Sequence, residues 1–317
     1  MGASGPAVLI AGPTASGKTA LAVGLAAALG GEVINADSMQ VYRELSILTA
    51  RPTAAEMGGV PHHLFGHVAA GELYTVARWL ADAEAALADV RARGRRPILV
   101  GGTGLYFSAL VRGFSTVPAV PDAVRARWRE RGAEIGPAGL HAILAERDPA
   151  MAARLRPTDP QRLLRALEVL EATGRSLADW QQETTRPLLG AGAWSGIVLT
   201  PDRTALRARI ARRFAAMAAA GGLEEAARLD ALGLDPVLPS MRAIGVPEMI
   251  AAARGDRSAD DAVAAAITAT RQYAKRQETW FRNQFSDWFR VDPLAGEGAA
   301  LATALGHFGA GAGGAAG

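Results

Sequence analysis

Residues Val8–Thr19 read VLIAGPTASGKT. The apolar run Val8–Gly12 ends in glycine and reads as a buried strand. Ala20–Leu29, just beyond, has the composition of a helix. Between them Gly12, Pro13, Thr14, Ala15, Ser16, Gly17, Lys18 and Thr19 complete the phosphate-loop pattern G-x-x-x-x-G-K-[ST], in the strand–helix context that the pattern requires. The glycines let backbone amides curl inward around anionic oxygens, and the helix N-terminus adds free donors and a favourable dipole. Lys18 supplies a point charge to the terminal phosphate, and the Thr19 hydroxyl can ligate Mg²⁺.

Working outward, Glu32–Asp37 and Pro97–Gly101 read as further strands, and Thr75–Arg93 as an alanine-rich helix stopped by Gly94. Strands alternating with helices predict a parallel α/β sheet. Pro118–Trp180 carries no strand pattern and is a run of short helical segments broken by Pro121, Pro137, Pro149, Pro157 and Pro160. Strand character returns at Gly196–Leu199, followed by helices at Arg203–Ala220 and Leu223–Leu232. A long helix over Ser258–Asn283 opens on Ser258 as N-cap, with Asp260 and Asp261 in its first turn. Trp288–Val291 reads as a last strand. The expectation is a P-loop NTPase-like parallel sheet core flanked by helices, at 1–113 and 196–308, with an all-helical insertion at 114–195 and a flexible Gly/Ala tail at 309–317.

Composition bounds the chemistry. The 317 residues contain no cysteine, which excludes disulfides, thiolate metal sites and a cysteine nucleophile. No apolar stretch reaches the roughly 20 residues of a membrane span, and no secretory leader is evident, so a cytoplasmic location is expected. Of 34 basic residues only Lys18 and Lys275 are lysines, leaving 34 − 2 = 32 arginines. The net charge of +3 is compatible with nucleic-acid binding only if those arginines cluster. His62, His63 and His67 lack the ligand set of a metal site.

The phosphate loop alone does not say which phosphate is bound. The strand PILVG ends in Gly and Thr where an NTPase would carry its Mg²⁺-holding acid. An acid stands instead at Asp37, at a strand end that should face the ligand crevice, with Ser38 and Gln40 beside it; a turn aspartate is the competing reading. A small-molecule kinase and a nucleotide-sensing RNA-binding protein remain alternatives at this point.

Further segments are GPTASGKT (12–19), NADSMQVYRELSILTARPT (35–53), PHHL (61–64), VGGTGLYFSAL (100–110), DPQRLLRALEV (159–169), RAIG (242–245) and TRQYAKRQETWFR (270–282). In this order they resemble the tRNA dimethylallyltransferases, or tRNA isopentenyltransferases. The resemblance implies transfer of a prenyl group from dimethylallyl diphosphate to the N6 amine of the adenosine 3′ of the tRNA anticodon. It implies that loop residues 12–19 hold the diphosphate leaving group, with Mg²⁺ on Thr19. It further implies Asp37 as base and positioner of the amine, and Thr103 as a contact to the diphosphate or its leaving oxygen. A second cation is expected from Arg209 or Arg213, one turn apart, with Arg209 preferred. For the anticodon stem-loop it implies contacts from Asp37, Ser38, Met39, Gln40 and Thr103, from Arg125, and from Gln161, Arg162, Leu163, Leu164 and Arg165. Arg271, Lys275 and Arg282 lie near one stripe of the long helix with Trp280 and Phe281 beside it, and Lys275 and Arg282 are taken as RNA contacts. A single core with its own insertion can act as a monomer. Two departures stand out: Val246-Pro247 follows RAIG where a Tyr and a basic residue are usual, and Gly66 replaces a common acid after PHHL.

Overall fold

The computed structural model describes residues 5–294 and 298–310. Its centre is a six-stranded, all-parallel sheet: β1 (Ala7–Ala11), β2 (Gly31–Asn35), β3 (His62–His63), β4 (Arg96–Gly101), β5 (Trp194–Leu199) and β6 (Phe289–Val291), in spatial order β3-β2-β4-β1-β5-β6. Every residue of β1 and β2 is buried, as the short apolar runs require for strands covered on both faces. The chain divides into two compact units, Arg112–Pro187 and the remainder.

In the larger unit, helices cover both sheet faces. Residues Leu9, Ile34 and Leu99 point into one apolar cluster with Trp79, Phe107 and Phe281, while Val8, Val33 and Ile98 point into another with Leu25 and Phe308. This alternation is the period-two geometry of a strand. Trp79, on helix Val76–Ala92, stacks on Tyr106 at 4.2 Å and donates its indole N–H to the Asn35 carbonyl at 2.9 Å. Thr75 caps that helix by accepting from the Arg78 amide, and Ser258 caps helix Ala259–Gln284 by accepting from Asp261. Glu32, buried inside the sheet, is compensated by Arg93 at 2.7 Å and His63 at 2.7 Å. Those contacts hold its carboxyl below the ordinary range.

The smaller unit is helical. Helix Asp122–Arg147 is broken at Gly136 before Pro137. Helix Pro160–Thr173 packs against it around Trp128, Leu140, Leu144, Leu163 and Leu167.

Several boundaries differ from the sequence expectation. Asp37 lies two residues beyond the end of β2. The two-residue β3 and the helix Ala299–Ala310 were not expected. The tail expected at 309–317 begins inside that helix, and 311–317 lie outside the described residues. Helix Arg203–Met217 passes into a π-helical turn at Ala218–Gly222, where Gly221 takes φ 102°. No described helix is long and apolar enough to cross a membrane.

Candidate active site

The order β2-β4-β1 sets three strand ends side by side. From them emerge the loops 12–17, 36–40 and 101–103, all at the carboxyl edge where ligands of open parallel sheets bind. Their approach is close: the Thr103 amide donates to the Ala36 carbonyl at 3.3 Å. A Cβ on Gly101 would strike that same carbonyl, so this strand end must be glycine.

Within the phosphate loop, Ala15 adopts φ 62°, a left-handed conformation that costs a non-glycine residue about 1 kcal/mol. Strain of this kind collects at functional loops. The Ser16 hydroxyl is buried and has no hydrogen-bond partner among the described residues. The Lys18 ammonium donates to the Pro13 carbonyl at 2.7 Å. Burial lowers the Lys18 pKa to about 8, opposed by the Asp37 charge and reinforced by Arg213.

Both candidate arginines of helix Arg203–Met217 reach the loop. Arg209 lies over Gly17, with Nη1 3.3 Å from where a Cβ would stand. Arg213 donates to the Thr14 hydroxyl at 2.5 Å. Burial and the neighbouring Arg209 hold the Arg213 pKa below its usual value. Arg213 is therefore part of the site, where the sequence alone favoured Arg209.

Two cavities of about 330 Å³ meet here. One is lined by residues 14–20 with Glu56, Arg209 and Arg213. The other is walled by Leu48, Ile210, Phe214 and Met217, with Arg242, Tyr273 and Arg276 among its polar residues. Thr14, Asp37, Thr49 and Arg213 line both. One Asp37 oxygen accepts from the Met39 amide at 3.0 Å.

The remaining expected residues fall into different places. The Thr103 hydroxyl accepts from the Ser38 amide at 2.9 Å and donates to the Ser38 hydroxyl at 3.2 Å. Through these bonds it braces the Asp37 loop. Ser38 and Met39 line the second cavity. The Gln40 amide is committed to the carbonyls of Thr49 and Ala50, and braces the opposite wall. Lys275 and Arg282 are exposed on the long helix, while Phe281 is a core residue.

In the helical unit, Gln161 and Arg162 are exposed and Arg125 and Arg165 half-buried. Leu163 is fully buried in that unit's own core, which corrects its assignment as a side-chain RNA contact, while Leu164 is partly buried and packs against that core.

Sequence reasoning missed Gln277 and Tyr273. Gln277 accepts from the Thr14 amide and donates to the Gly102 carbonyl, both at 2.8 Å. Its signal was a glutamine on the apolar stripe Ala262, Ala266, Ala274, Phe281. Burial, with Asp37 nearby, pushes the Tyr273 phenol up, so it stays a neutral donor beside the second cavity. The Gly66 departure also has a local cause, because a side chain there would collide with the Arg51 guanidinium, which donates to the Tyr42 carbonyl at 3.2 Å. Val246 opens helix Val246–Ala253 as a buried core residue.

The family model described as IPP transferase matches residues 40–284, and the model described as isopentenyl transferase matches 6–65. A tRNA dimethylallyltransferase of Bradyrhizobium sp. (strain BTAi1 / ATCC BAA-1182) is 54% identical over 292 residues, covering 92% of this chain and 96% of that protein. One from Parvibaculum lavamentivorans is 52% identical over 286 residues, 90% of each. Among solved structures, the full-length tRNA isopentenylpyrophosphate transferase of Bacillus halodurans superposes with a TM-score of 0.71 at 35% identity, covering 96% of both chains. A eukaryotic dimethylallyltransferase acting on tRNA gives 0.77 at 28% identity, over 94% of this chain and 77% of that one. With a family model spanning most of its length and relatives above half identity, the chain belongs to the IPP transferase family.

Proposed function

We propose that this chain, acting as a monomer, transfers a dimethylallyl group from dimethylallyl diphosphate to the N6 amine of the adenosine 3′ of the anticodon in tRNA, releasing diphosphate. The observation that carries the reading is the position of Asp37 on the wall common to the anion-binding loop's cavity and the second cavity beside it. An allylic C–O bond anchored by its diphosphate in the first cavity would meet an amine presented from the second.

The exocyclic amine is a poor nucleophile, so two things lower the barrier. The departing diphosphate must be stabilised, and the amine must lose a proton as it attacks. Lys18, Arg209, Arg213 and the loop amides serve the first need. The Ser16 hydroxyl, without a partner among the described residues, is a further donor toward an anion. As the amine nitrogen bonds to the allylic carbon, the C–O electron pair leaves with the diphosphate and the N6 proton passes to the Asp37 carboxylate. Thr103 holds the Asp37–Ser38 loop in place for this transfer.

The donor set fits Mg²⁺. The Thr19 hydroxyl has no hydrogen bond to another described residue, and it shares its cavity with the hard oxygens of Asp37 and Glu56. No group of three His, Asp or Glu able to hold a metal is present among the described residues, so Thr19 would hold the ion together with substrate oxygens. The ion supplies charge neutralisation to the leaving group when bound. Arg125, Gln161, Arg162 and Arg165 would meet the stem-loop from the helical unit, and Lys275 and Arg282 from the core.

The test is incubation with an anticodon stem-loop RNA, dimethylallyl diphosphate and Mg²⁺. One prenyl group added to the RNA, with diphosphate released, is expected. Absence of both products contradicts the reading.

A further inference from the structure

We propose that Met217, together with Leu48, closes the apolar end of the second cavity and limits the transferred chain to one five-carbon unit. This role rests on the prenyl-transfer reading and adds to it the residues that select the length of the donor's tail.

Helix Arg203–Met217 carries both halves of such a selector. Arg209 lies over the phosphate loop at Gly17, and Arg213 donates to the Thr14 hydroxyl at 2.5 Å. Positions 210, 213, 214 and 217 are three or four residues apart, so they share one helix face. Ile210, Phe214 and Met217 line the second cavity together with Arg213. A donor with a charged head and an apolar tail can therefore lie along this face, its head at the arginines. Met217 stands one turn beyond Arg213, about 6 Å along the helix axis. That rise is comparable to the length of a dimethylallyl group, so a second isoprene unit would have to pass Met217.

The end of this face is built to stay closed. The helix passes there into the π-helical turn Ala218–Gly222, a distortion frequent at functional positions. At Gly222 a Cβ would stand 2.9 Å from the Met217 carbonyl oxygen and 3.1 Å from Leu48 Cδ2, so the bare glycine lets Leu48 pack against the end of the helix. The Leu48 amide in turn donates to the buried Glu225 carboxylate at 3.2 Å, which fixes the wall from behind. Leu48 is buried and Met217 partly buried. A wall packed in this way rejects a longer chain by overlap. Asp37, Thr270 and Tyr273 line the same cavity from other elements and are left for the nucleobase.

The test is competition between dimethylallyl diphosphate and the ten-carbon geranyl diphosphate for one anticodon stem-loop RNA, read by mass spectrometry as the ratio of the two products. At equal donor concentrations that ratio is the ratio of the two kcat/KM values. The wild-type chain should favour the five-carbon donor at least about a hundredfold, and Met217→Ala should narrow that preference about tenfold or more. Leu48→Ala should narrow it in the same sense. Met217→Phe, which fills the end of the cavity, should raise the KM for dimethylallyl diphosphate without weakening the binding of inorganic diphosphate, which has no tail. Binding of inorganic diphosphate serves as the folding control for every variant. Loss of a merely structural contact would slow both donors alike and leave the ratio where it was. An unchanged ratio in truncated variants that still bind diphosphate, an unchanged KM in Met217→Phe, or a wild-type chain without the preference overturns the selector alone. Absence of transfer from either donor by the wild-type chain overturns the selector and the prenyl-transfer reading together.

Discussion

Gln277, near the C-terminal end of a 26-residue helix, accepts a hydrogen bond from the Thr14 amide 263 residues away in sequence, at 2.8 Å. Its amide nitrogen simultaneously donates to the Gly102 carbonyl. One side chain thus sets the spacing between the phosphate loop and the loop that carries Thr103. Gln277→Leu strands a loop amide and a buried carbonyl, each costing about 1–3 kcal/mol. The expected outcome is a lower melting temperature together with a raised KM for the prenyl diphosphate. An unaltered KM would confine Gln277 to stability.

Lys18 gives a pH dependence with a defined sign. Its free-protein pKa is about 8, lowered by burial, and the charged form is the one that binds diphosphate. Binding an anion raises that pKa, so affinity is full below about 8 and falls as pH rises through it. Calorimetry of prenyl diphosphate binding in buffers of different ionisation enthalpy should show proton uptake above that point.

Glu225 is a buried carboxylate that accepts from the amides of Ser46, Ile47 and Leu48, at 2.6 Å for its shortest contact with Ile47. It holds the segment that brings Leu48 and Thr49 to the second cavity. Glu225→Ala leaves three donors without their acceptor and is expected to cost about 3 kcal/mol or more in chemical denaturation. The KM for RNA should rise while the affinity for prenyl diphosphate changes little. Glu225→Gln, which keeps one acceptor oxygen, should restore part of both losses.

The parts of the site that were legible in the sequence are those that chain neighbours build. Strand, glycine loop and helix follow one another at 7–29, so Lys18 and Thr19 could be placed from spacing alone. Asp37 was legible as an acid at a strand end. What was not legible depends on contacts between distant segments. Thr103 carries its hydroxyl to Ser38 across 65 positions. The choice between Arg209 and Arg213 turns on the roll of a helix that the pattern does not fix, and both prove to reach the loop. The strand His62–His63 is too short to show periodicity, and it forms by pairing to β2. Helix Ala299–Ala310 is masked by its glycines and alanines, and it is held by packing of Leu301 and Phe308 onto the sheet's second face.

The account turns on the Asp37 carboxylate as acceptor of the amine proton, and the most direct measurement is the single-turnover rate of Asp37→Asn with saturating RNA and prenyl diphosphate. It is made well below pH 8, where Lys18 stays charged without help from Asp37. The account predicts a rate at least about a hundredfold below wild type, with prenyl diphosphate affinity nearly unchanged. A variant that transfers the prenyl group at the wild-type rate would contradict it.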